Sequence, residues 1–115
     1  MKQTKEGPKN QEGKPEWAVL PWEALEHVVR VFEYGASPEK YKNPYTYRPG
    51  ITFSKLFSAS IRHLIAWWKG EDYAPDSGCH HLAHVCANCL MLLAMTDKKQ
   101  FDNRDKEKKD GSQKP

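Results

Sequence analysis

The sequence predicts an all-α fold, a small antiparallel bundle of three main helices, and three observations carry that prediction. Apolar residues recur at intervals of three and four in three segments, at about 22–34, 53–69 and 80–95. No segment alternates apolar and polar residues with the period of two that a half-buried strand needs. The connection between the second and third segments is short and contains Pro75 and Gly78, which makes those two helices antiparallel neighbours.

The first helix is predicted from Trp22 to Tyr34. Pro21 sits where a missing N–H costs nothing, and Glu23 and Glu26 suit the positive end of the helix dipole. Leu25, Val28, Val29 and Phe32 form one apolar stripe, and Gly35 stops the helix. A loop follows from 37 to 50. Pro38, Pro44 and Pro49 forbid a regular helix there, and Tyr41, Tyr45 and Tyr47 give it aromatic surface. Loops of this length in a compact domain are often functional.

The second helix is predicted over 53–69, with Phe53, Leu56, Phe57, Ser60, Ile61, Leu64, Ile65 and Trp68 as its buried face and Gly70 at its end. An acidic connection, 71–78, leads to the third helix, in which Leu82, Val85, Cys86, Cys89, Leu92 and Leu93 are apolar. Segments 1–16 and 97–115 read as solvated, disordered tails. They are rich in Lys, Gly and charged residues and hold too little apolar surface to offset the entropy of ordering. The expected folded domain, 17–96, is about 80 residues, a size at which one core is marginal and a second copy of the chain is an expected complement.

Charge and cysteine content narrow the function classes. The net charge is +3, yet 17–96 holds seven Lys/Arg against seven Asp/Glu, so the excess lies in the tails. A specific nucleic-acid binder needs a basic face on its folded part, and none is expected here. No apolar run follows the N-terminal lysines and none reaches 18 residues, so neither a signal peptide nor a membrane span is expected. Cys79, Cys86 and Cys89 are an odd number and suit reduced thiols in a cytoplasm. A structural zinc site built on Cys86 and Cys89 is the weaker reading, because it lacks a second ligand pair and its thiols fall on an apolar helix face.

The polar chemistry gathers between Arg62 and Asn88. His81, His84 and Asn88 follow at intervals of three and four and share one face of the third helix. An antiparallel hairpin brings His63 of the second helix within reach of them, and the connection adds Glu71, Asp72 and Asp76. Neutral imidazole and carboxylate are ligands for divalent metals, so His63, Asp76, His81 and His84 are the candidate metal ligands. Glu71 and Asp72 are the candidate catalytic carboxylates. Arg62, Lys69 and Lys40 could meet phosphate charge, Trp67 and Tyr41 could stack on a base, and Asn88 could hydrogen-bond a substrate. Each also has a plainer reading. Asp76-Ser77-Gly78 is ordinary turn chemistry, Arg62 could be a surface ion-pair partner, Trp67 could be core, and His27 and His80 carry no distinct signal.

Four stretches together resemble a known family. They are Leu20-Pro-x-Glu-Ala-Leu-Glu-x-Val; Tyr34-Gly35-Ala36 with Lys40-Tyr41; Arg62-His63-Leu64-x-Ala66-Trp67 with Gly70-Glu71-Asp72; and Asp76-x-Gly78-x-x-His81-Leu82-Ala83-His84-x-x-x-Asn88. Spanning about 14–95, they resemble the small phage and bacterial dATP/dGTP diphosphohydrolase family, N-terminal domain type. The resemblance implies hydrolysis of a purine deoxynucleoside triphosphate to monophosphate and pyrophosphate in a host cytoplasm. That activity is similar to that of the all-α MazG-like pyrophosphohydrolases, which hold Mg²⁺ on Glu-x-x-Glu and Glu-x-x-Asp helices. Here His81-x-x-His84 stands in place of the second carboxylate pair, and His ligands favour Mn²⁺, Co²⁺ or Zn²⁺ over Mg²⁺. The alternative expectation is a non-catalytic nucleotide- or metal-binding helical protein that acts through a protein partner.

Overall fold

The computed structural model describes residues 5–37, 40, 43 and 45–107. Tyr41, Pro38 and Pro44 of the predicted loop lie outside the described residues. Three α-helices make the fold: α1, Trp22–Gly35; α2, Phe53–Trp68; and α3, His81–Ala94. Short 3₁₀ turns at Trp17–Val19 and Lys99–Phe101 flank them, and no strand occurs among the described residues. All three predicted helices are present, each within a residue or so of its expected ends. No helix among the described residues is long and apolar enough to cross a membrane.

Helix α3 is the central element and packs on both of the others. It meets α1 through Ala83 and Ala87, which are buried against Val28 with Leu25, Val31 and Phe32 around them. Two alanines at a spacing of four keep that face of α3 low, so α1 can approach closely. It meets α2 through a second cluster, Phe53, Leu56 and Met95, with Ile51, Met91 and Leu92 packed on it. Midway between this apolar end and the hairpin end, Asn88 Nδ2 donates to Ser60 Oγ at 3.0 Å. The Ser60 hydroxyl donates in turn to Leu56 O at 2.8 Å. The pair is buried, so each polar group finds its partner across or along the helices.

Two expectations are corrected. Helix α2 does not bury its whole predicted face. Phe53, Leu56 and Ser60 are buried, whereas Phe57, Ile61, Ile65 and Trp68 are exposed, Trp68 at 81 %. The exposed set lies one residue on from the buried one, about 100° around the helix, and so forms a second apolar stripe that this single chain leaves uncovered. Cys86, Cys89, Leu90 and Leu93 of α3 are exposed as well, so the two thiols do not lie in a core.

The segment after Thr96 is part of the fold rather than a solvated tail as far as it is described. Phe101 packs on the Phe53–Leu56–Met95 cluster. Asn103 accepts from Ser54 N at 3.0 Å and donates to Ser54 Oγ at 2.8 Å, docking the chain on the start of α2. Hydrogen bonds from Arg104 and Lys106 hold the Asp102 carboxyl well below the usual carboxylate range. Gly50 has a φ of 128°, and a Cβ there would overlap the Phe101 ring, so both its backbone and its lack of a side chain serve this contact.

Candidate functional site

The hairpin between α2 and α3 builds the site. Helix α2 ends in a Schellman motif. Glu71 N donates to Ala66 O at 3.1 Å and Gly70 N to Trp67 O at 2.9 Å, with Gly70 at a φ of 105°. The reversal sends Glu71 back across the start of α3. An isolated antiparallel bridge, Tyr73 with His80, then closes the connection. It is tightened by Ala74 N to Cys79 O and His81 N to Asp72 O, both 2.8 Å. Gly78, at a φ of 73°, makes the turn inside it. At the start of α3, Leu82 N donates to His80 Nδ1 at 3.1 Å, so a histidine caps this helix.

Three imidazoles converge above this hairpin. His63 Nδ1 and His81 Nδ1 are 2.8 Å apart. The His63 ring stacks on His84, with centroids 4.2 Å apart and planes 1° from parallel. On the other edge of His81, Nε2 is 2.7 Å from Glu71 Oε1. His84 Nε2 is 2.8 Å from Ser77 Oγ. His81 is buried, and the Glu71 carboxylate is half exposed.

With His81 as the neutral imidazole, the pattern assigns the protons. An ionised carboxylate only accepts, so His81 Nε2 carries a proton and donates to Glu71. In neutral His81 the Nδ1 is then bare, and His63 Nδ1 must donate to it. His63 Nε2 is left as a lone pair. Glu71, His81 and His63 thus form a chain that presents a neutral imidazole base at its end. Ser77 Oγ accepts from Cys79 N at 3.1 Å, which leaves its hydroxyl proton for His84 Nε2.

The electrostatics agree. Burial lowers the His63 pKa, the nearby His81 lowers it further, and the Asp76 charge opposes both. Burial, with His63 next, pushes His84 down to about 4. At neutral pH these rings are uncharged, the form that acts as a base or a metal ligand.

The expected residues divide into those the structure gathers and those it does not. His63, His81, His84 and Glu71 form the cluster. Asp76 stands near enough to raise the pKa of His63 and His84, but its Oδ1 accepts from Ser77 N at 2.7 Å. Asp72 reaches the cluster through its main-chain carbonyl, which holds His81 N. Arg62 is exposed beside His63, and its charge lowers that ring's pKa. Lys40 is exposed, with Nζ 5.8 Å from the Tyr34 ring centroid, and its charge is felt at His84. Trp67 tilts against Trp68 with centroids 6.3 Å apart, and Lys69 caps α2. The Asn88 amide is engaged by Ser60 inside the helix interface rather than directed to the site.

Ser77 is the residue that sequence reasoning missed. It lies in the turn before α3, outside any helix, so its spacing to His84 carries no helical meaning, and only the closed hairpin brings the two together.

The donor types suit Mn²⁺, Co²⁺ or Zn²⁺, but the two facing Nδ1 atoms are hydrogen-bonded to each other. Among the described residues, no three His, Cys, Asp or Glu side chains form a group that could hold a metal ion. The same side chains are committed to hydrogen bonds: His84 and Asp76 are engaged by Ser77, and Glu71 holds the far side of His81.

No curated protein and no solved structure matches the chain. The family model described as dATP/dGTP diphosphohydrolase, N-terminal, matches residues 4–104, and the chain belongs to that family.

Proposed function

We propose that this protein hydrolyses purine deoxynucleoside triphosphates, dATP or dGTP, to the monophosphate and pyrophosphate. The observation that supports this reading most is the Glu71–His81–His63 chain, which with a neutral His81 leaves an unprotonated nitrogen on His63, beside a His84 ring that burial also keeps uncharged. In this reading, water attacks the α-phosphorus, the bond to the bridging oxygen breaks, and pyrophosphate leaves. His63 Nε2 takes the water proton. Glu71 acts through His81 as a positioning residue, since it fixes the tautomer that gives His63 its lone pair. Arg62 carries positive charge beside His63, where it offsets that of the triphosphate, and Lys69 at the end of α2 is a second candidate for that role.

A divalent ion held by the Nδ1 atoms of His63 and His81 would have to displace the hydrogen bond between them, so it is an alternative to the imidazole base, with His84 and Asp76 nearest to the pair. With so few protein donors, the remaining ligands would come from substrate phosphates and water, as is usual for nucleotide-bound cations. When bound, such an ion polarises a phosphoryl oxygen and acidifies water. A second copy of the chain covers the exposed stripe Phe57, Ile61, Ile65 and Trp68. Bare apolar faces of this kind on small helical domains are association surfaces.

The test is to incubate the full chain with dGTP or dATP and Mn²⁺, Co²⁺ or Mg²⁺, and to measure pyrophosphate while sedimentation gives the mass of the active species. Product is expected, carried by a dimer or larger species, and His63→Ala should lower kcat by about a hundredfold or more. No pyrophosphate with any of the three metals sinks the hydrolase reading, and an active monomer sinks the second copy. That no three-ligand group occurs among the described residues, with the imidazoles engaged by one another, by Glu71 and by Ser77, favours one rival, a module that binds a nucleotide without turning it over. That rival predicts thermal stabilisation by dGTP and no product.

A further inference from the structure

A concavity lies between α1 and the hairpin, beside the histidine cluster, with Ser77 common to both. Its volume is about 480 Å³, and His27, Arg30, Tyr34, Tyr73, Ser77 and His80 are among its lining residues. From its shape and chemistry we infer that this cleft is the subsite for the purine base. The inference rests on the proposed nucleotide reading and adds the residues that would recognise the base.

Four observations support it. The first is size, since the volume falls in the range of small-molecule sites. The second is an aromatic wall. The His80 ring stands edge-on to Tyr73, with centroids 5.2 Å apart, and to His27 at 6.0 Å. Tyr73 is more than half exposed, yet the bridge to His80 fixes its backbone. An anchored, exposed aromatic ring is a stacking platform.

The third observation is a set of polar groups suited to a purine edge. Leu82 N donates to His80 Nδ1, so a neutral His80 carries its proton on Nε2 and offers a donor. Arg30 brings a guanidinium, whose fork matches the O6 and N7 acceptors of guanine. Its ion pair with Glu33 is long, 3.7 Å, and both side chains are mostly exposed, so the guanidinium keeps donors to offer. Glu33 lines the same cleft and supplies an acceptor for a ring N–H or exocyclic amine.

The fourth is position. Ser77 lines the cleft and also contacts His84 Nε2. A base held in the cleft therefore leaves its sugar and phosphates beside the histidine cluster. The platform is not the one expected from the sequence: Trp67 sits against Trp68 at the end of α2, whereas Tyr73 and His80 belong to the hairpin itself.

The experiment titrates the full chain, without metal, with dGMP, dAMP and inorganic pyrophosphate, and follows the aromatic resonances by NMR. The nucleoside monophosphates should perturb the Tyr73, His27 and His80 rings, dGMP more tightly than dAMP, and pyrophosphate should not. Tyr73→Ala and Arg30→Ala should each weaken dGMP binding by about tenfold, and Tyr73→Phe should keep it, since the ring remains. The subsite is overturned if dGMP leaves those rings unshifted, or if both alanine variants bind it as the parent does. The two readings fail separately. Binding in the cleft without turnover of dGTP removes the hydrolase and keeps the subsite. Turnover with an unchanged KM in both alanine variants removes the subsite and keeps the hydrolase.

Discussion

The two ends of the α2–α3 pair are held by different forces. At the open end Phe53, Leu56 and Met95 close on one another and Phe101 lies over them, so shape and apolar burial do the holding. At the hairpin end, hydrogen bonds join Glu71, His81 and His63 in one set and Ser77 and His84 in another, the His63 and His84 rings stack, and the neighbouring apolar side chains Ile61, Ile65 and Trp68 face outward. Asn88 and Ser60 mark the boundary. The contrast shows a division of labour along one helix pair. The apolar end supplies stability and lets the polar end hold titratable groups in positions that chemistry can use.

The strongest way to break the comparison is to open the apolar end. Met95 is 1 % exposed, so Met95→Ala leaves a cavity and should cost about 2–5 kcal/mol in urea unfolding. The histidine contacts should survive in whatever fraction stays folded, as NMR of the rings would show. Loss of those contacts at full occupancy of the fold would mean that the two ends are not separable. The boundary gives a smaller effect. Ser60→Ala strands the buried Asn88 amide and should cost about 1–3 kcal/mol, whereas Ser60→Ala with Asn88→Leu should recover most of it. Failure of the double variant to recover would show that packing rather than the hydrogen bond matters there.

Acid sharpens the comparison from the polar side. His84 stays neutral in the fold down to about pH 4, while an unfolded imidazole takes a proton near 6.5. Between those values the unfolded chain binds more protons, so stability falls as pH falls through that window. The low His63 pKa acts in the same direction. Urea midpoints measured from pH 7 to pH 5 should therefore drop, and His84→Gln should flatten the slope. A slope unchanged in that variant would place the titration elsewhere.

Much of this division was legible in the sequence, for reasons that differ by region. The helices were readable because apolar spacing and the punctuation at Gly35 and Gly70 agree. The meeting of His63 with His81 and His84 followed from spacing on one helix and an antiparallel turn. The buried side of α2 was not readable, because the helix is apolar around more than half its girth and periodicity does not rank one stripe over the next. Phe101 was missed because a lone aromatic in a charged segment docks only on a surface that exists after folding. Asn88 continues the stripe of His81 and His84, but in an antiparallel pair it lies deeper and faces Ser60 rather than His63. Ser77 needed the finished hairpin.

Gly70 has one more consequence. Nothing lies within 4 Å of where its side chain would be, so a larger residue there meets no obstacle and is opposed only by the torsion of its own backbone. That torsion decides the direction in which the chain leaves the helix, and so where the next carboxylate comes to rest. A single bend in the main chain thereby governs which nitrogen holds a hydrogen two rings farther on.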